Sequence, residues 1–289
     1  VGLQLTYSLQ ITHAYRTKEE NFPLAMEAIK TALAIDENMV AALAGLAYMK
    51  RTFEWDWHGA SDAIQRALEL EPNNVEVLEP AAAITSTLGR LPESIELYER
   101  TIELDPLGFS VLSSVGSRYG NVGRFDDAIS AYQRVLRLNP DYPRIRARLS
   151  QIYLLKGDPE RALAEIEKEP SHISSAIMMA RIEHTLGNEA KARSYLNYLL
   201  DEDPDGISSA LAAVYAWRGE NDAAFEWLER AYQEKNFRLA YFLGNSWLRS
   251  LTTDPRYPIF VEKLGLLQEW EAMPPEHGGP PRPRTENPR

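Results

Sequence analysis

One spacing in this 289-residue sequence constrains its fold more than any other feature, because a small residue recurs about every 34 positions. The segment from Gly89 to Pro106 reappears 34 residues later, from Gly123 to Pro140, with small and aromatic residues at matching places. Successive small residues are separated by 35, 34, 34, 34, 30 and 32 positions. They are Ala25, Ala60, Ser94, Ala128, Ala162, Ala192 and Ala224. This period predicts an array of stacked supersecondary units.

Three further positions of each unit have a physical meaning. A larger apolar residue follows each small one by four positions, on the same face of a helix. A glycine precedes the last five small residues and allows the left-handed backbone that ends a helix. A proline follows four of the small residues by twelve positions and stops the second helix of the pair. The pattern predicts antiparallel helix pairs, with the small residue where the two axes come closest. The larger apolar residues are Ile29, Ile64, Tyr98, Tyr132, Ile166, Leu196 and Leu228.

This pattern resembles the tetratricopeptide repeat over residues from about 6 to 236. First-helix positions agree, with Leu78 at the large first position of a unit and Ala82 at its small eighth position. The resemblance implies an all-α fold, a right-handed α–α superhelix (solenoid) of about seven helix pairs with a C-terminal capping helix. Two units depart from the pattern. His13 stands at the small position of the first unit, and the short fifth unit breaks at Glu169-Pro170. We expect shifted packing and a local change of superhelix curvature at this break.

The sequence divides into a solenoid at 1–236, a capping segment at 237–270 and a tail at 271–289. Asp254 and Pro255 predict the start of a capping helix at about 255–270. The tail is rich in proline, which predicts disorder, and its last seventeen residues could span up to roughly 55 Å and enter the groove. The chain starts with Val, and we expect it to be a piece of a longer protein. The predicted pairs lie at about 6–40, 41–74, 75–108, 109–142, 143–171, 173–204 and 205–236.

A longer corner between the two helices of the second pair carries Phe53, Trp55 and Trp57. Two interpretations of this corner remain open. The tryptophans either pack back onto their own helices, as large amphipathic rings usually do, or form a knob for a partner. If these aromatic residues and the Tyr241-Phe242 pair are exposed, they favour self-association of the chain.

Three segments together carry a second resemblance. The corner Phe53-Glu54-Trp55-Asp56-Trp57, the helix Ala223–Tyr232 and the terminator Leu251–Tyr257 look like the C-terminal repeat region of multidomain bacterial signalling proteins. In those proteins, similar repeats follow an adenylate/guanylate cyclase, winged-helix DNA-binding or Ser/Thr kinase domain. The resemblance implies a regulatory or interaction module, without saying which effector it serves.

Composition and motifs argue against several function classes. A net charge of −11 disfavours nonspecific nucleic-acid binding, and the absence of cysteine excludes disulfides and thiol catalysis. No apolar run approaches the roughly 20 residues of a membrane-spanning helix. Glycine-rich phosphate loops and HExxH motifs are missing, and no two of the five histidines share a helical face at i and i+3 or i+4. We predict no enzymatic activity, cofactor, metal, membrane or nucleic-acid partner for this region, and a cytoplasmic location.

The candidate binding site is the concave face that first helices line in this type of fold. Its predicted lining is small and polar, with a basic spot at Arg144, Arg148 and Arg181. Small side chains leave room for a partner segment, and arginines could hold its carboxylates in bidentate pairs. The alternative is an ordinary solvated helix face. The candidate groove residues are Ser113, Ser117, Arg144, Arg148, Gln151, Arg181 and His184.

The function we predict is binding of a protein or peptide segment in this groove, as a regulatory scaffold. The alternative is a homodimerisation module for an effector domain. Binding of a small molecule between units is a third hypothesis.

Overall fold

The structure, a computed structural model, describes residues 18–202 and 206–281. Helices make up the regular secondary structure of these residues, and no strand occurs among them. The all-α fold class predicted from the repeat is therefore confirmed, while the superhelical hand stays a prediction. The chain divides into two compact units, Val1–Val111 and Leu112–Arg289. This boundary lies in the fourth predicted helix pair, where the sequence predicted one continuous solenoid. His13 lies outside the described residues.

The first unit contains successive helices joined by short turns. Each of its described pairs has a first helix packed on the second, as in α2 with α3 and α4 with α5. The helices are α1 (Lys18–Ile35), α2 (Val40–Met49), a π-helical turn (Lys50–Glu54), α3 (Trp57–Leu70), α4 (Val75–Thr87) and α5 (Leu91–Leu104).

The second unit continues the helix pairs and ends in shorter pieces. Its helix α6 starts at Phe109, just before the unit boundary. The paired helices are α6 (Phe109–Asn121), α7 (Phe125–Leu138), α8 (Ile145–Leu155), α9 (Pro159–Ile166), α10 (His172–Thr185), α11 (Glu189–Glu202), α12 (Ser208–Trp217) and α13 (Asn221–Gln233). The pieces that follow are 3-10 helices at Phe237–Tyr241 and Ser246–Thr253, α14 (Arg256–Lys263), α15 (Leu267–Ala272) and a 3-10 turn at Pro275–His277.

The small repeat position is where paired helices touch. All seven of these residues have an exposed fraction of 0%, which confirms their predicted place at the crossing. Two crossings carry a serine, and each serine donates a hydrogen bond to a backbone carbonyl of the facing helix. Ser94 Oγ lies 2.6 Å from the Ala82 oxygen, and Ser150 Oγ lies 2.7 Å from the Ala162 oxygen. Because the hydroxyl reaches a carbonyl directly, serine satisfies its own polar group in the core.

The turns between paired helices have the predicted backbone. Gly89, Gly123, Gly157, Gly187 and Gly219 all have φ between +72° and +85°. At Gly123 a Cβ atom would meet nothing within 4 Å, so its left-handed conformation, and not crowding, is the reason for glycine. The N–H of the following Arg124 donates to the Tyr119 carbonyl over 2.8 Å, the bond that closes a Schellman turn.

The aromatic corner is packed rather than exposed. Trp57 begins α3 and is 3% exposed, and the Trp55 ring stacks on it with centroids 5.8 Å apart. Phe53 packs edge-on against Phe22 and Tyr48. The corner therefore lacks the exposed aromatic surface that a knob for a partner would need. Of the two interpretations, packing onto the chain's own helices holds.

The fifth pair is irregular at the predicted place. Its second helix, α9, has only 8 residues and ends at Ile166. The carboxylate of Glu169, 8% exposed, accepts hydrogen bonds from the backbone N–H of Ala147 at 3.1 Å and of Ser171 at 3.2 Å. This buried acidic residue therefore holds the break against the first turn of α8.

The C-terminal part differs from the expectation of one capping helix and a disordered tail. The predicted helix at 255–270 is two helices, because Gly265 adopts φ +72° between α14 and α15. Residues 271–281 are packed: Met273 is 3% exposed, and Trp270 Nε1 donates to the Gly278 carbonyl over 3.0 Å. Residues 282–289 lie outside the described residues. Within the described ranges, no helix combines the length and the apolarity needed to cross a bilayer.

Candidate functional site

The segment that follows the last helix pair lies on the inner face of the second unit. This stretch, residues 237–253, is called the C-terminal segment below. Its Arg249 Nη2 donates to the backbone oxygen of Asn121 at the end of α6 over 2.7 Å, and Ser246 Oγ lies 3.3 Å from the Asn121 Oδ1 atom. Ser250 Oγ donates to the Ala216 carbonyl of α12 over 3.1 Å. The first helices α6 and α12 thus bind the chain's own segment, where the sequence predicted an open groove.

Aromatic and cationic groups reinforce this docking. The Trp247 ring packs edge-on against Trp217, with centroids 5.0 Å apart. The guanidinium of Arg181 lies 4.3 Å from the centre of the Trp247 ring, and that of Arg118 lies 4.9 Å from the centre of the Tyr241 ring. Each such contact of a cation with a ring face is worth about 0.5–2 kcal/mol.

The Tyr241-Phe242 pair is not exposed either. Phe242 is 1% exposed and stacks on Tyr257 at 5.1 Å, with Phe260 at 5.2 Å. These rings form the core that joins the C-terminal segment to α14. Since this pair and the corner of the first unit are packed, the aromatic argument for self-association no longer applies.

A cavity of about 580 Å³ lies between the first helices of the second unit and the C-terminal segment. Five of the seven candidate groove residues line it: Ser117, Arg144, Arg148, Gln151 and Arg181. They come from α6, α10 and α8 with its N-cap residue, which repeat packing brings side by side. Small residues of α12, such as Ala213, line the cavity as well, as the small-residue pattern predicted.

The two remaining candidates lie elsewhere. Ser113 is 4% exposed, and its carbonyl accepts a hydrogen bond from Arg148 Nη1 at 3.3 Å. The neighbouring Ser114 lines the cavity instead, because one residue along a helix turns the side chain by about 100°. His184 lies at the end of α10, where its Nδ1 is 3.0 Å from Glu189 Oε2. The hydrogen bond to His184, followed by that to Arg218, lowers the pKa of Glu189 to about 2.

The described residues that line the cavity carry only positive charge. Five of them are arginines, Arg118, Arg144, Arg148, Arg181 and Arg238, and none of the described lining residues is Asp or Glu. Four of these arginines, Arg144, Arg148, Arg181 and Arg238, form no ion pair with a carboxylate within residues 18–202 and 206–281. The fifth, Arg118, has contacts of its own. The nearby Glu169 is committed to two backbone N–H groups. The cavity is therefore cationic in a chain of net charge −11.

Arg181 is the most deeply placed of these arginines. It is 4% exposed, and burial lowers its pKa to about 9, so it remains protonated at pH 7. Its Nη1 contacts Met178 Sδ at 3.7 Å and its Nη2 donates to the Ala210 carbonyl over 3.3 Å. Its Nε is buried without a hydrogen-bond acceptor in the described part of the chain. A buried donor without an acceptor lowers the stability of the folded state unless a ligand supplies the acceptor.

Two further arginines have unusual surroundings. Arg144 precedes α8 with a left-handed backbone, φ +61°, which is uncommon for a residue with a side chain. Arg238 is exposed at the cavity rim, yet partial desolvation, followed by the charges of Arg144 and Arg148, lowers its pKa. The arginine charges thus act on one another across the cavity.

Sequence reasoning missed Arg118 and Arg238. Arg118 follows the predicted groove residue Ser117 directly, but it is not among the residues predicted to line the groove. Arg238 lies beyond the last repeat, where no periodicity assigns a face. The only sequence signal for Arg238 is the mixture of aromatic and cationic residues in Asn236-Phe237-Arg238.

Comparison with known proteins identifies the fold. A profile of the tetratricopeptide repeat family matches residues 122–171. The structure is similar to a crystal structure of a tetratricopeptide repeat protein from Parabacteroides merdae, at 16% identity, covering 91% of this chain and 99% of that one, with a TM-score of 0.62.

Two further proteins have similar structures. PilW, a type IV pilus biogenesis factor, aligns over 71% of this chain and 94% of its own at 18% identity and a TM-score of 0.60. Pseudomonas aeruginosa PilF aligns over 77% and 97% at 18% identity and a TM-score of 0.55. No protein of curated function matches the chain in sequence. Residues 122–171 therefore carry a tetratricopeptide repeat, and the chain has the fold of tetratricopeptide repeat structures.

Proposed function

We propose that this chain is a protein-interaction module whose second unit binds an acidic segment of a partner protein in the arginine-lined cavity. The fold supports the general role, because stacked helix pairs of this kind serve as scaffolds for other proteins. The observation that carries the specific role is a set of cavity arginines that form no ion pair with any carboxylate among the described residues: Arg144, Arg148, Arg181 and Arg238.

The geometry supports a short anionic group rather than a long peptide. The C-terminal segment occupies part of the inner face, so what remains is a cavity of about 580 Å³ instead of a continuous groove. Arg148 donates from Nη1 to the Ser113 carbonyl and also hydrogen-bonds the Tyr132 side chain, and these contacts hold its guanidinium group at the cavity wall. Planar guanidinium groups bind carboxylates through two parallel hydrogen bonds. An acidic side chain or a chain end of the partner would fit this donor set.

We also propose a cellular role and a partner class for this module. The resemblance of the Phe53–Trp57 corner and the Leu251–Tyr257 terminator to bacterial signalling proteins supports a regulatory role within a larger cytoplasmic protein. Partners are then proteins or peptides, and the acidic net charge supports the absence of a nucleic-acid partner for this region.

Short degenerate peptides test this function directly. One library carries two fixed acidic residues, and the matched library carries Asn and Gln in their place. We expect the acidic library to bind at least tenfold more tightly, a difference of about 1.4 kcal/mol. Binding should fall by more than tenfold in the double variant Arg144→Glu/Arg148→Glu.

The matched control is Arg137→Glu on α7, an exposed arginine outside the cavity that forms no ion pair in the described structure. Circular dichroism establishes that each variant retains its helices. Equal capture of the two libraries, or equal loss in the control and the double variant, would refute the proposal.

A further inference from the structure

The cavity arginines carry more positive charge than one carboxylate can balance. Five arginines line a single cavity, and its described lining contributes no negative charge. We propose that this cavity is a binding site for a phosphoryl group attached to an organic body. The proposal rests on the proposed function only in using the same cavity, and it names a different chemical group as the ligand.

Charge and acceptor number favour a phosphoryl group over a carboxylate. A phosphomonoester carries about −1.5 to −2 charges at pH 7 and three acceptor oxygens, whereas a carboxylate carries one charge and two oxygens. Arginine forks bind phosphate oxygens through two hydrogen bonds each. Because at least two guanidinium groups can each engage a pair of oxygens, a dianion compensates this lining better than a monoanion.

Arg181 provides the buried donor that such a site requires. It is 4% exposed, its Nε lacks an acceptor in the described structure, and its ring contact with Trp247 fixes the orientation of the guanidinium plane. No carboxylate lies within ion-pair distance in the described ranges. The deep end of the cavity thus has a charge and a free donor but no acceptor of its own.

Hydroxyl groups complete the lining. Ser114, Ser117, Ser174 and Ser209 also face the cavity, and serine hydroxyls are frequent donors to phosphate oxygens. The volume of about 580 Å³ falls within the usual range of roughly 300–1,000 Å³ for pockets that hold organic ligands. A bare phosphate ion would leave much of this space empty, so the ligand includes a body beyond the phosphoryl group.

The C-terminal segment contributes a wall of the site. Arg238 and Trp247 belong to it, while Arg144, Arg148 and Arg181 belong to the repeats or the turns between them. Positive charges on both walls repel each other when the cavity is empty. A bound dianion would remove this repulsion, and we therefore expect ligand binding to tighten the docking of the segment on α6, α10 and α12.

Calorimetric titration of the full chain with phenyl phosphate, and separately with benzoate, at constant ionic strength tests the site. We expect phenyl phosphate to bind at least tenfold more tightly than benzoate. Arg144→Gln and Arg148→Gln, at an exposed and a partly buried position, should each weaken phenyl phosphate binding at least fivefold. Arg137→Gln, which removes an exposed charge outside the cavity, should leave it unchanged. Limited proteolysis within residues 237–253 should slow when phenyl phosphate is bound.

A second arm separates the two sources of a phosphoryl group. Degenerate peptides with a fixed phosphoserine are compared with the same peptides carrying Ser or Glu. Tight phosphopeptide binding assigns the phosphoryl group to a partner protein, and binding of phenyl phosphate alone assigns it to a free small molecule. Either result supports the site.

Three results would overturn the site: no heat from either phosphate probe, equal affinity for phenyl phosphate and benzoate, or cavity variants that bind as the wild type does. Acidic peptides that bind without any preference for phosphate would refute this inference and leave the proposed function standing. Binding of phenyl phosphate without binding of any peptide would refute the proposed function and leave this inference standing.

Discussion

Replacing Arg181 by methionine should make the protein more stable while it abolishes anion binding. Arg181 is 4% exposed, lacks an ion pair in the described chain and lines the cavity. Residues kept for binding often cost stability, because their charge or polar group remains unsatisfied until the ligand arrives. Methionine is unbranched and adaptable, so it can fill much of the same space without a charge.

The magnitude follows from the surroundings of Arg181. A decrease of its pKa from 12.5 to about 9 corresponds to a burial cost of about 5 kcal/mol for the charged form. The contact with the Trp247 ring returns about 2 kcal/mol, and the hydrogen bond to the Ala210 carbonyl returns about 1.5 kcal/mol. The variant should therefore gain about 1–2 kcal/mol. Replacing buried ionic groups by apolar ones has gains of this order in other proteins.

The same pKa shift gives a sign for the pH dependence. Because the folded state holds the Arg181 proton less tightly than the unfolded state, the wild type pays the full burial cost below pH 9. The cost decreases as the pH rises above 9, since the unfolded chain then binds more protons than the folded one. The stability difference between Arg181→Met and the wild type should accordingly shrink between pH 9 and 11.

Urea denaturation followed by far-UV circular dichroism measures this difference, and titration with phenyl phosphate measures the loss of binding. Arg218→Met is the matched control, because the Arg218 side chain is 2% exposed but paired with Glu189 and Glu220. That control should lose about 1–3 kcal/mol. A loss of more than 2 kcal/mol in Arg181→Met would mean that Arg181 is a structural tie, and it would refute the reasoning.

Three further perturbations test the packing around the site. Trp247→Ala should cost about 3–5 kcal/mol in urea denaturation, since it removes a ring that is 7% exposed and contacts Arg181; a cost below 1 kcal/mol would contradict the docking of the C-terminal segment. Gly123→Ala should cost about 1 kcal/mol by thermal melting through its left-handed backbone alone, and a stabilised variant would be the contrary result. Asp254, whose pKa is lowered to about 2 by hydrogen bonds from Arg256, should lose its contribution to stability as the pH falls below 4; acid titration of Asp254→Asn should show a shallower decline, and an unchanged curve would contradict it.

The sequence by itself determined the helix pairs. The sequence alone predicted three features of each pair: the small residue at the helix crossing, the larger apolar residue four positions after it, and the glycine of the turn. Each is required by a local physical constraint that recurs about every 34 residues. Crossing helices tolerate only small side chains at their point of contact, as Ser94 and Ala82 show, and left-handed turns select glycine, as at Gly123. The sequence also predicted the basic lining at Arg148 and Arg181, since helical periodicity places both on the face of the first helices, whereas Arg144 reaches the cavity from the left-handed residue before α8.

Only the tertiary structure decided that this inner face is partly filled by the chain itself. Residues 237–253 follow no repeat, so no pattern in the sequence assigns them a face or a partner. Their docking depends on contacts between residues far apart in the chain, such as Asn121 with Ser246 and Arg249. Such contacts require complementary shape and matching hydrogen-bonding groups on two distant segments. Neither the repeat period nor local helix propensity predicts which distant segments will pack together. The same long-range packing adds Arg238 to the repeat arginines, so that the basic face becomes one wall of a cationic cavity open to solvent.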